Sequence, residues 1–248
     1  MDRPGCLDRP GSSDRPGSSD RRDQIARPKY FARLGYFAWV VGVAQFFVLH
    51  VVVESAWHSP AYSWARNNIS DLGNVHCALQ SDPEPRYICS PEHGLMNGSF
   101  IALGALLAVG AALTGPLWRK GAAGVSARLL LAGGGVGFVL AGLAPSDVDE
   151  NQHALGALLV MGAGNIGLTL AGAGLAGSVP RALRRLTGLL GVVAITALGL
   201  FLSERYLGLG MGGMERVAAF PILVWALVIG ALAIFRSIPA ISREECNH

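Results

Sequence analysis

Six apolar stretches, each long enough to cross a lipid bilayer, constrain this chain more than any motif does. They cover residues 34–57, 95–118, 125–144, 153–176, 183–203 and 217–235. A helix of about 20 mainly apolar residues spans the hydrocarbon core. Inside that core each backbone N–H and C=O must be paired within its own segment, which favours helices. The sequence therefore predicts an all-α fold, a polytopic integral membrane protein whose residues 34–236 form one six-helix bundle.

The composition supports a membrane protein and argues against nucleic-acid binding. Hydrophobic residues make up 51% of the chain and charged residues only 15%, whereas a soluble domain carries about 25% charged residues. The charges lie almost entirely between the apolar stretches, so the net charge of +3 reflects membrane topology. No phosphate-binding loop follows a strand, and no basic and aromatic platform is present. We expect a multi-pass protein of the cell membrane whose main partner is the lipid bilayer, with no nucleic-acid partner.

Basic residues alternate with acidic ones along the connections and predict the orientation. Residues 1–33 are rich in arginine, and further basic residues follow spans 2, 4 and 6: Arg119, Lys120, Arg128, Arg181, Arg184, Arg185, Arg236 and Arg243. The other three connections are mixed or acidic. Because an excess of Lys and Arg marks the cytoplasmic side, we expect both termini to be cytoplasmic and the first, third and fifth loops to lie outside.

The two ends of the chain are predicted to lie apart from the bundle. Residues 1–33 form a basic arm in which Asp-Arg-Pro-Gly begins at Asp2, Asp8 and Asp14. Proline and glycine in every repeat, with alternating charges, cannot build a core, so we expect this arm to be disordered. It is either an arm for anionic headgroups or an extension without a role. Residues 237–248 are expected to form a cytoplasmic tail.

Two cysteines fall in the first outer loop. Cys77 and Cys89 lie twelve residues apart on the side predicted to be oxidising. They are interpreted either as a disulfide or as two free thiols that share a loop. Cys6 and Cys246 lie on the predicted inner side and are expected to stay reduced.

Unusual polar residues gather at the predicted outer ends of the spans. The first outer loop contains Asn68, Ser70 and Asp71 within one short polar segment. The starts of spans 2, 4 and 6 add His93, Asn97, Asp147, His153, Glu215 and Arg216. Since all of these lie at one membrane face, we expect a single outward-facing polar site. Asn165 lies about halfway along span 4 and extends the polar set into the bundle.

Three of these segments resemble a known family. Residues 68–73, Asn-Ile-Ser-Asp-Leu-Gly, are similar to the signature that follows the first helix in the DUF998 family of bacterial and archaeal membrane proteins. Residues 142–147 with 153–156, and residues 213–216, fit the same pattern. The resemblance covers nearly all of residues 34–236 and implies a six-span fold with a shared outer-face site, without implying a reaction. The long first outer loop with its two cysteines departs from the commonest, shorter form.

The first functional hypothesis is a binding or transport role for a lipid headgroup or a small polar solute. The substrate-binding residues would be Asn68, Ser70, Asn97, Asn165 and Arg216. Arg216 would hold a phosphate or carboxylate through two parallel hydrogen bonds. Against this hypothesis, the six spans show no obvious inverted repeat and no matching pair of broken spans of the kind that marks secondary transporters.

The second hypothesis is a metal-dependent hydrolase that acts on a lipid at the outer leaflet. His93, Asp147 and His153 would bind zinc, since imidazole and carboxylate suit that ion. Asp71 or Glu215 would be the catalytic base for a metal-activated water. Histidines at helix ends beside a Ser-Asp segment distantly resemble intramembrane hydrolases of the alkaline ceramidase type. The paired HxxxH of those enzymes is absent from this sequence.

A structural role explains the same residues without a ligand. Asn68 and Asp71 would cap a turn, because short polar side chains accept hydrogen bonds from backbone N–H groups. His93 and His153 would be interfacial anchors, and Glu215 with Arg216 an ordinary ion pair. Each residue alone fits this interpretation, and only their clustering favours a site.

Overall fold

The computed structural model describes residues 18–81 and 84–235. Its helices are α1 (Ser18–Ser55), α2 (His93–Leu113), α3 (Ala122–Leu143), α4 (Glu150–Leu158), α5 (Asn165–Gly174), α6 (Arg181–Leu202) and α7 (Gly210–Phe235). A π-helical turn, Leu159–Gly164, joins α4 to α5, so the two form one continuous span. Within these described residues, six helical segments are long and apolar enough to cross a membrane. The predicted all-α, multi-pass six-helix bundle is confirmed.

Several element boundaries differ from the prediction. Helix α1 begins at Ser18, so part of the arm predicted to be disordered is helical; the last Pro-Gly pair of the repeat, Pro16-Gly17, comes directly before it. Residues 1–17 of that arm and the predicted tail, 237–248, lie outside the described residues. Helix α7 begins at Gly210, which has a positive φ angle, as does Gly208 just before the helix. Glu215 and Arg216 consequently lie in its second turn instead of preceding the span.

The helices form a closed ring around an aromatic core. Helix α1 packs on α2 and α7, α2 on α3, α3 on α4 and α5, and α6 on α5 and α7. At the centre, the ring of Phe46 lies 5.9 Å from that of Phe100 and 6.3 Å from that of Phe138. Trp39 and Trp225 join α1 to α7 with ring centroids 5.3 Å apart. An even number of spans puts both ends of the bundle's chain at the same side.

Glycines allow the helix backbones to approach closely. A Cβ on Gly137 of α3 would lie 2.5 Å from the carbonyl oxygen of Gly156, and one on Gly104 would lie 2.3 Å from that of Gly135. Small residues at helix contacts provide much of the packing in membranes, where no hydrophobic force drives helices together. Glycines therefore form contact faces at these crossings, although Gly133 has open space around it.

The segment between α1 and α2, residues 56–92 (loop 1), covers one end of the bundle. It contains a 3-10 turn, Ser70–Gly73, and two antiparallel strands, β1 (Ala78–Gln80) and β2 (Arg86–Ile88), in which Ala78 pairs with Ile88. This hairpin was not predicted from the sequence. Cys77 and Cys89 stand at its base and are joined as a disulfide, with their Cα atoms 4.2 Å apart.

Beneath loop 1, α4 and α6 diverge. Helix α6 packs along α5 and touches the π-helical turn, whereas α4 packs on α3 and makes little contact with α6. A gap between α4 and the last turns of α6 therefore opens at the loop-1 end of the bundle. The candidate functional site lies at that gap.

Candidate functional site

A cavity of about 660 Å³ lies at the loop-1 end of the bundle. Its polar lining residues come from loop 1, the α3–α4 connection, the first turn of α4 and α7. Its apolar lining residues come mainly from α4, the π-helical turn and α6, with one each from β2 and the α3–α4 connection. The polar wall contains Asn68, Ser70, Asp71, Asn74, Gln80, Arg86, Ser146, Asp147, Glu150, His153 and Glu215. The apolar wall contains Ile88, Val148, Ala154, Ala157, Leu158, Met161, Leu198, Phe201 and Leu202.

Asp71 is the centre of a buried polar network in the 3-10 turn. Its side chain is 2% exposed and forms a two-pronged ion pair with Arg86, whose Nε lies 2.9 Å and whose Nη2 lies 3.1 Å from the two carboxylate oxygens. The backbone N–H of Asn68 and the side-chain amide of Asn67 donate to the same carboxylate. Asp71 thus holds the 3-10 turn, the preceding asparagines and β2 together.

Glu215 reaches the cavity from the second turn of α7. It is 8% exposed, and its Oε2 accepts a hydrogen bond from the backbone N–H of Ile69. Among the described residues no hydrogen-bond donor reaches Oε1. Glu215 also lines a second, smaller cavity of about 40 Å³, which lies against Phe100 and Phe138 of the core. One carboxylate oxygen therefore fixes loop 1, and the other is left without a donor.

Arg216 points away from the cavity and holds loop 1 onto α7. Its Nη1 donates to the carbonyl oxygens of Trp64, Asn67 and Gly212 at 2.8–3.0 Å, and its Nη2 donates to the hydroxyl of Tyr62. Its guanidinium also lies 4.7 Å from the ring centroid of Trp64. The predicted headgroup-binding role of Arg216 is not supported by this arrangement, because its Nη donors are occupied by the loop.

Asp147 connects the α3–α4 loop to loop 1. Its carboxylate accepts from the backbone N–H groups of Val75 and His76, at 3.1 and 2.7 Å, and lies 2.9 Å from Nδ1 of His76. Burial raises the pKa of Asp147, but the hydrogen bonds from His76 and Val75 outweigh it, so the pKa lies below its ordinary value. Asp147 is consequently ionised at neutral pH.

The predicted zinc ligands do not come together. Nδ1 of His93 lies 3.1 Å from the carbonyl oxygen of Ser90, and His93 is not among the residues lining the cavity. His153 lines the cavity, with its Nδ1 2.9 Å from the carbonyl oxygen of Ala144, and Asp147 is engaged by loop 1. Over residues 18–81 and 84–235, no three His, Cys, Asp or Glu side chains are placed to share a metal ion. The described structure therefore does not group His93 with Asp147 and His153.

Two predicted ligand-binding asparagines lie outside the cavity. The side-chain amide of Asn97 donates to the carbonyl of Gly73 at 2.8 Å and fixes the 3-10 turn on α2. That of Asn165 donates to the carbonyls of Met161 and Ala218 at 2.7 Å and joins the π-helical turn to α7. Both asparagines contact backbone, and the structure gives them a packing role. The cavity does bring together six other predicted residues: Asn68, Ser70, Asp71, Asp147, His153 and Glu215.

Sequence reasoning missed the partners of these residues and the apolar wall. Arg86 pairs with Asp71, and His76 pairs with Asp147. A carboxylate predicted to be buried needs a counter-ion, so the arginines of loop 1 were the signal available for Arg86. No sequence signal distinguished Leu158 and Leu202, which line the cavity, from other leucines of the spans.

The family model described as protein of unknown function (DUF998) matches residues 40–232, well over half of the chain. The chain belongs to the DUF998 family. No curated protein and no solved structure matches it. The DUF998 match covers α2 to α6 completely, together with the last 16 residues of α1 and most of α7, and every residue lining the cavity falls inside it. The two cysteines of loop 1 lie within the DUF998 match as well.

Proposed function

We propose that this membrane protein binds a lipid in the cavity at the loop-1 end of the bundle. The observation that supports this most strongly is the composition of the cavity wall. Carboxylate, amide and hydroxyl groups line the cavity together with apolar side chains that include Leu158, Leu198 and Leu202. A purely polar solute would leave the apolar lining residues without a matching contact. An amphiphile has a polar part and an apolar part, which can contact both kinds of lining residue.

The position of the apolar wall supports entry from the bilayer. Leu158 of α4 and Leu202 of α6 line the cavity and are 48% and 63% exposed, on two helices that make little contact with each other. The gap between these helices therefore connects the cavity to the surface that faces lipid. An acyl chain in that gap would bury apolar surface, at about 25 cal/mol per Å², while the headgroup reaches loop 1.

The volume is in the range of a ligand site. Pockets for small ligands enclose roughly 300–1,000 Å³ and combine an apolar lining with a few placed polar groups. A cavity of about 660 Å³ holds a headgroup and the first part of a chain. With loop 1 outside, as the distribution of basic residues predicts, the bound lipid would come from the outer leaflet.

Binding is proposed in preference to hydrolysis for two geometric reasons. Asp71, one of the two predicted catalytic carboxylates, is fully engaged by Arg86 and by two further donors. His93, one of the three predicted metal ligands, is not among the cavity residues. The following experiment distinguishes a lipid ligand from a small polar solute.

Native mass spectrometry of the protein released from lipid nanodiscs tests this proposal. The wild type is expected to retain lipid, and Ala157→Trp is expected to lose it, because Ala157 lines the cavity and an indole there fills it. Leu189→Trp is the matched control, since Leu189 of α6 is 63% exposed and does not line the cavity. Equal retention in all three proteins, with helical content and elution volume unchanged, would overturn the proposal.

A further inference from the structure

On the basis of the proposed function, we infer that the headgroup of the bound amphiphile contains an ammonium group that donates hydrogen bonds to Glu215. This assigns a chemical class to the ligand, and it assigns Glu215 the role of recognising it. Three independent features of the cavity support the inference: an acceptor without a donor, further acceptors beside it, and the balance of charge in the wall.

The acceptor is Glu215. The residue is 8% exposed, and only its Oε2 has a hydrogen-bond partner among the described residues, the N–H of Ile69. Glu215 lines the cavity, and its Oε1 is not among the fully buried atoms of the described residues, so it is open to the cavity. An ionised carboxylate oxygen in this position can accept a hydrogen bond from a ligand donor.

Two further acceptors belong to residues of the same wall. Asn68 lines the cavity, and its Oδ1 is buried without a hydrogen-bond donor in the described part of the chain. Ser70 lines it too and has a hydroxyl that can accept. An ammonium group offers three donors and no acceptor, which complements a carboxylate, an amide oxygen and a hydroxyl.

The charge balance of the wall favours a cation. Four carboxylates line the cavity, those of Asp71, Asp147, Glu150 and Glu215, against one guanidinium, that of Arg86. Arg86 is paired with Asp71. The other nearby arginine, Arg216, directs its Nη groups at loop carbonyls and at Tyr62. An anionic headgroup would meet an excess of negative charge, and hydrogen bonds between a cation and a carboxylate are roughly twice as strong as neutral ones.

Competition between two phospholipids tests the inference. The wild type is placed in nanodiscs that contain equal amounts of phosphatidylethanolamine, which has an ammonium group, and phosphatidylglycerol, which has none. Native mass spectrometry then reports the ratio of the two lipids retained. We expect enrichment of the ethanolamine lipid by about tenfold, the size of one charge-assisted hydrogen bond.

Glu215→Gln is the decisive variant, because glutamine keeps an oxygen that can accept from Ile69 while removing the charge. The enrichment should fall to about onefold with total lipid retained. Glu92→Gln is the matched control, since Glu92 is exposed at the same end of the bundle and does not line the cavity. It should behave as the wild type. If the wild type retains both lipids equally, or if Glu215→Gln keeps the enrichment, the inference is wrong while the proposed lipid binding stands.

A free amine is the other source of the same chemistry. Ethanolamine is added to the wild type in nanodiscs of phosphatidylglycerol alone. An ethanolamine adduct that is lost in Glu215→Gln, without any retained lipid in either membrane, would support ammonium recognition and contradict lipid binding. Retention of neither lipid nor ethanolamine would overturn the inference and the proposed function together.

Discussion

At the scale of single residues, the polar groups under loop 1 divide into those that hold the loop and those that face the cavity. Arg216 and Asn97 donate to loop carbonyls, and Asp71 collects donors from three residues. Glu215 does both, with one oxygen on Ile69 and the other without a partner in the described residues. These side-chain contacts to its backbone already hold loop 1 in place, so a bound ligand is not needed to order it.

The ion pair between Asp71 and Arg86 should contribute strongly to stability. Asp71 is 2% exposed and the arginine side chain 10%. Removing one partner leaves a buried charge uncompensated, which costs about 3–5 kcal/mol. Asp71→Asn and Arg86→Gln are therefore each expected to lower the free energy of unfolding by that amount, measured by denaturation in detergent.

The double variant Asp71→Asn/Arg86→Gln separates the ion pair from unrelated effects. Its loss of unfolding free energy is expected to be clearly smaller than the sum of the losses of the two single variants, because it leaves no unpaired buried charge. Strictly additive losses would show that the two side chains do not interact in solution.

Asp147 should make stability depend on pH. Its pKa in the folded protein is lowered by the hydrogen bonds from His76 and Val75, so folding favours the ionised form. The resulting stabilisation is present above the pKa of the unfolded chain and is lost as the pH falls through the lowered folded value. We expect Asp147→Asn to lower the melting temperature at neutral pH, and the difference from the wild type to shrink under acid conditions. A difference that stays constant with pH would contradict this.

At the scale of elements, hydropathy was enough to predict the spans and not enough to predict what joins them. The six apolar stretches are long, and only a helix satisfies their backbone in lipid. The π-helical turn at Leu159–Gly164 and the strands Ala78–Gln80 and Arg86–Ile88 are short. Their conformations depend on packing against other segments, which a single sequence does not encode locally.

The candidate site was likewise predicted only in part: the depth of its residues followed from the sequence, and the direction of their side chains did not. Membrane topology alone places Asn68, Asp147 and Glu215 at one depth, and the cavity contains all three. Depth does not determine which way a helix turns its side chains, so His93 was grouped with residues that it does not approach. The carbonyl acceptors of Arg216 belong to the backbone, so no side-chain motif in the sequence reveals them.

The crossing of α3 and α4 should tolerate no added side chain. A Cβ on Gly137 would lie 2.5 Å from the carbonyl oxygen of Gly156, whereas one on Gly133, in the same helix, would meet nothing within 4 Å. Gly137→Ala is expected to lower the free energy of unfolding by about 1–3 kcal/mol, the usual cost of overpacking. Gly133→Ala is expected to leave it unchanged or raise it slightly. Equal effects of the two substitutions would show that the helices do not approach as closely as described.

At the scale of the whole molecule, the closed ring of helices has one structured end and one simple end. The loop-1 end carries the hairpin, the 3-10 turn and the cavity, while the connections from α2 to α3 and from α5 to α6 are short. The basic residues Arg119, Lys120 and Arg181 belong to the simple end. This asymmetry matches a protein that presents one face to a ligand.

The orientation of that face in the membrane can be measured by cysteine labelling. In a background with Cys6 and Cys246 changed to serine, Lys120→Cys is expected to be protected from an impermeant thiol reagent added to whole cells, because the positive-inside rule places it in the cytoplasm. Leu79→Cys, which is 69% exposed in loop 1, is expected to react. The reverse pattern would place the cavity at the inner leaflet.

The central claim is that an amphiphile occupies the cavity under loop 1 and leaves it between α4 and α6. A crystal structure of the wild type grown in a lipid mesophase tests this most directly. We expect elongated density that begins beside Glu215 and passes between Leu158 and Leu202 toward the lipid-facing surface. A cavity that holds only ordered water, or leucines that close against each other across the gap, would contradict the account.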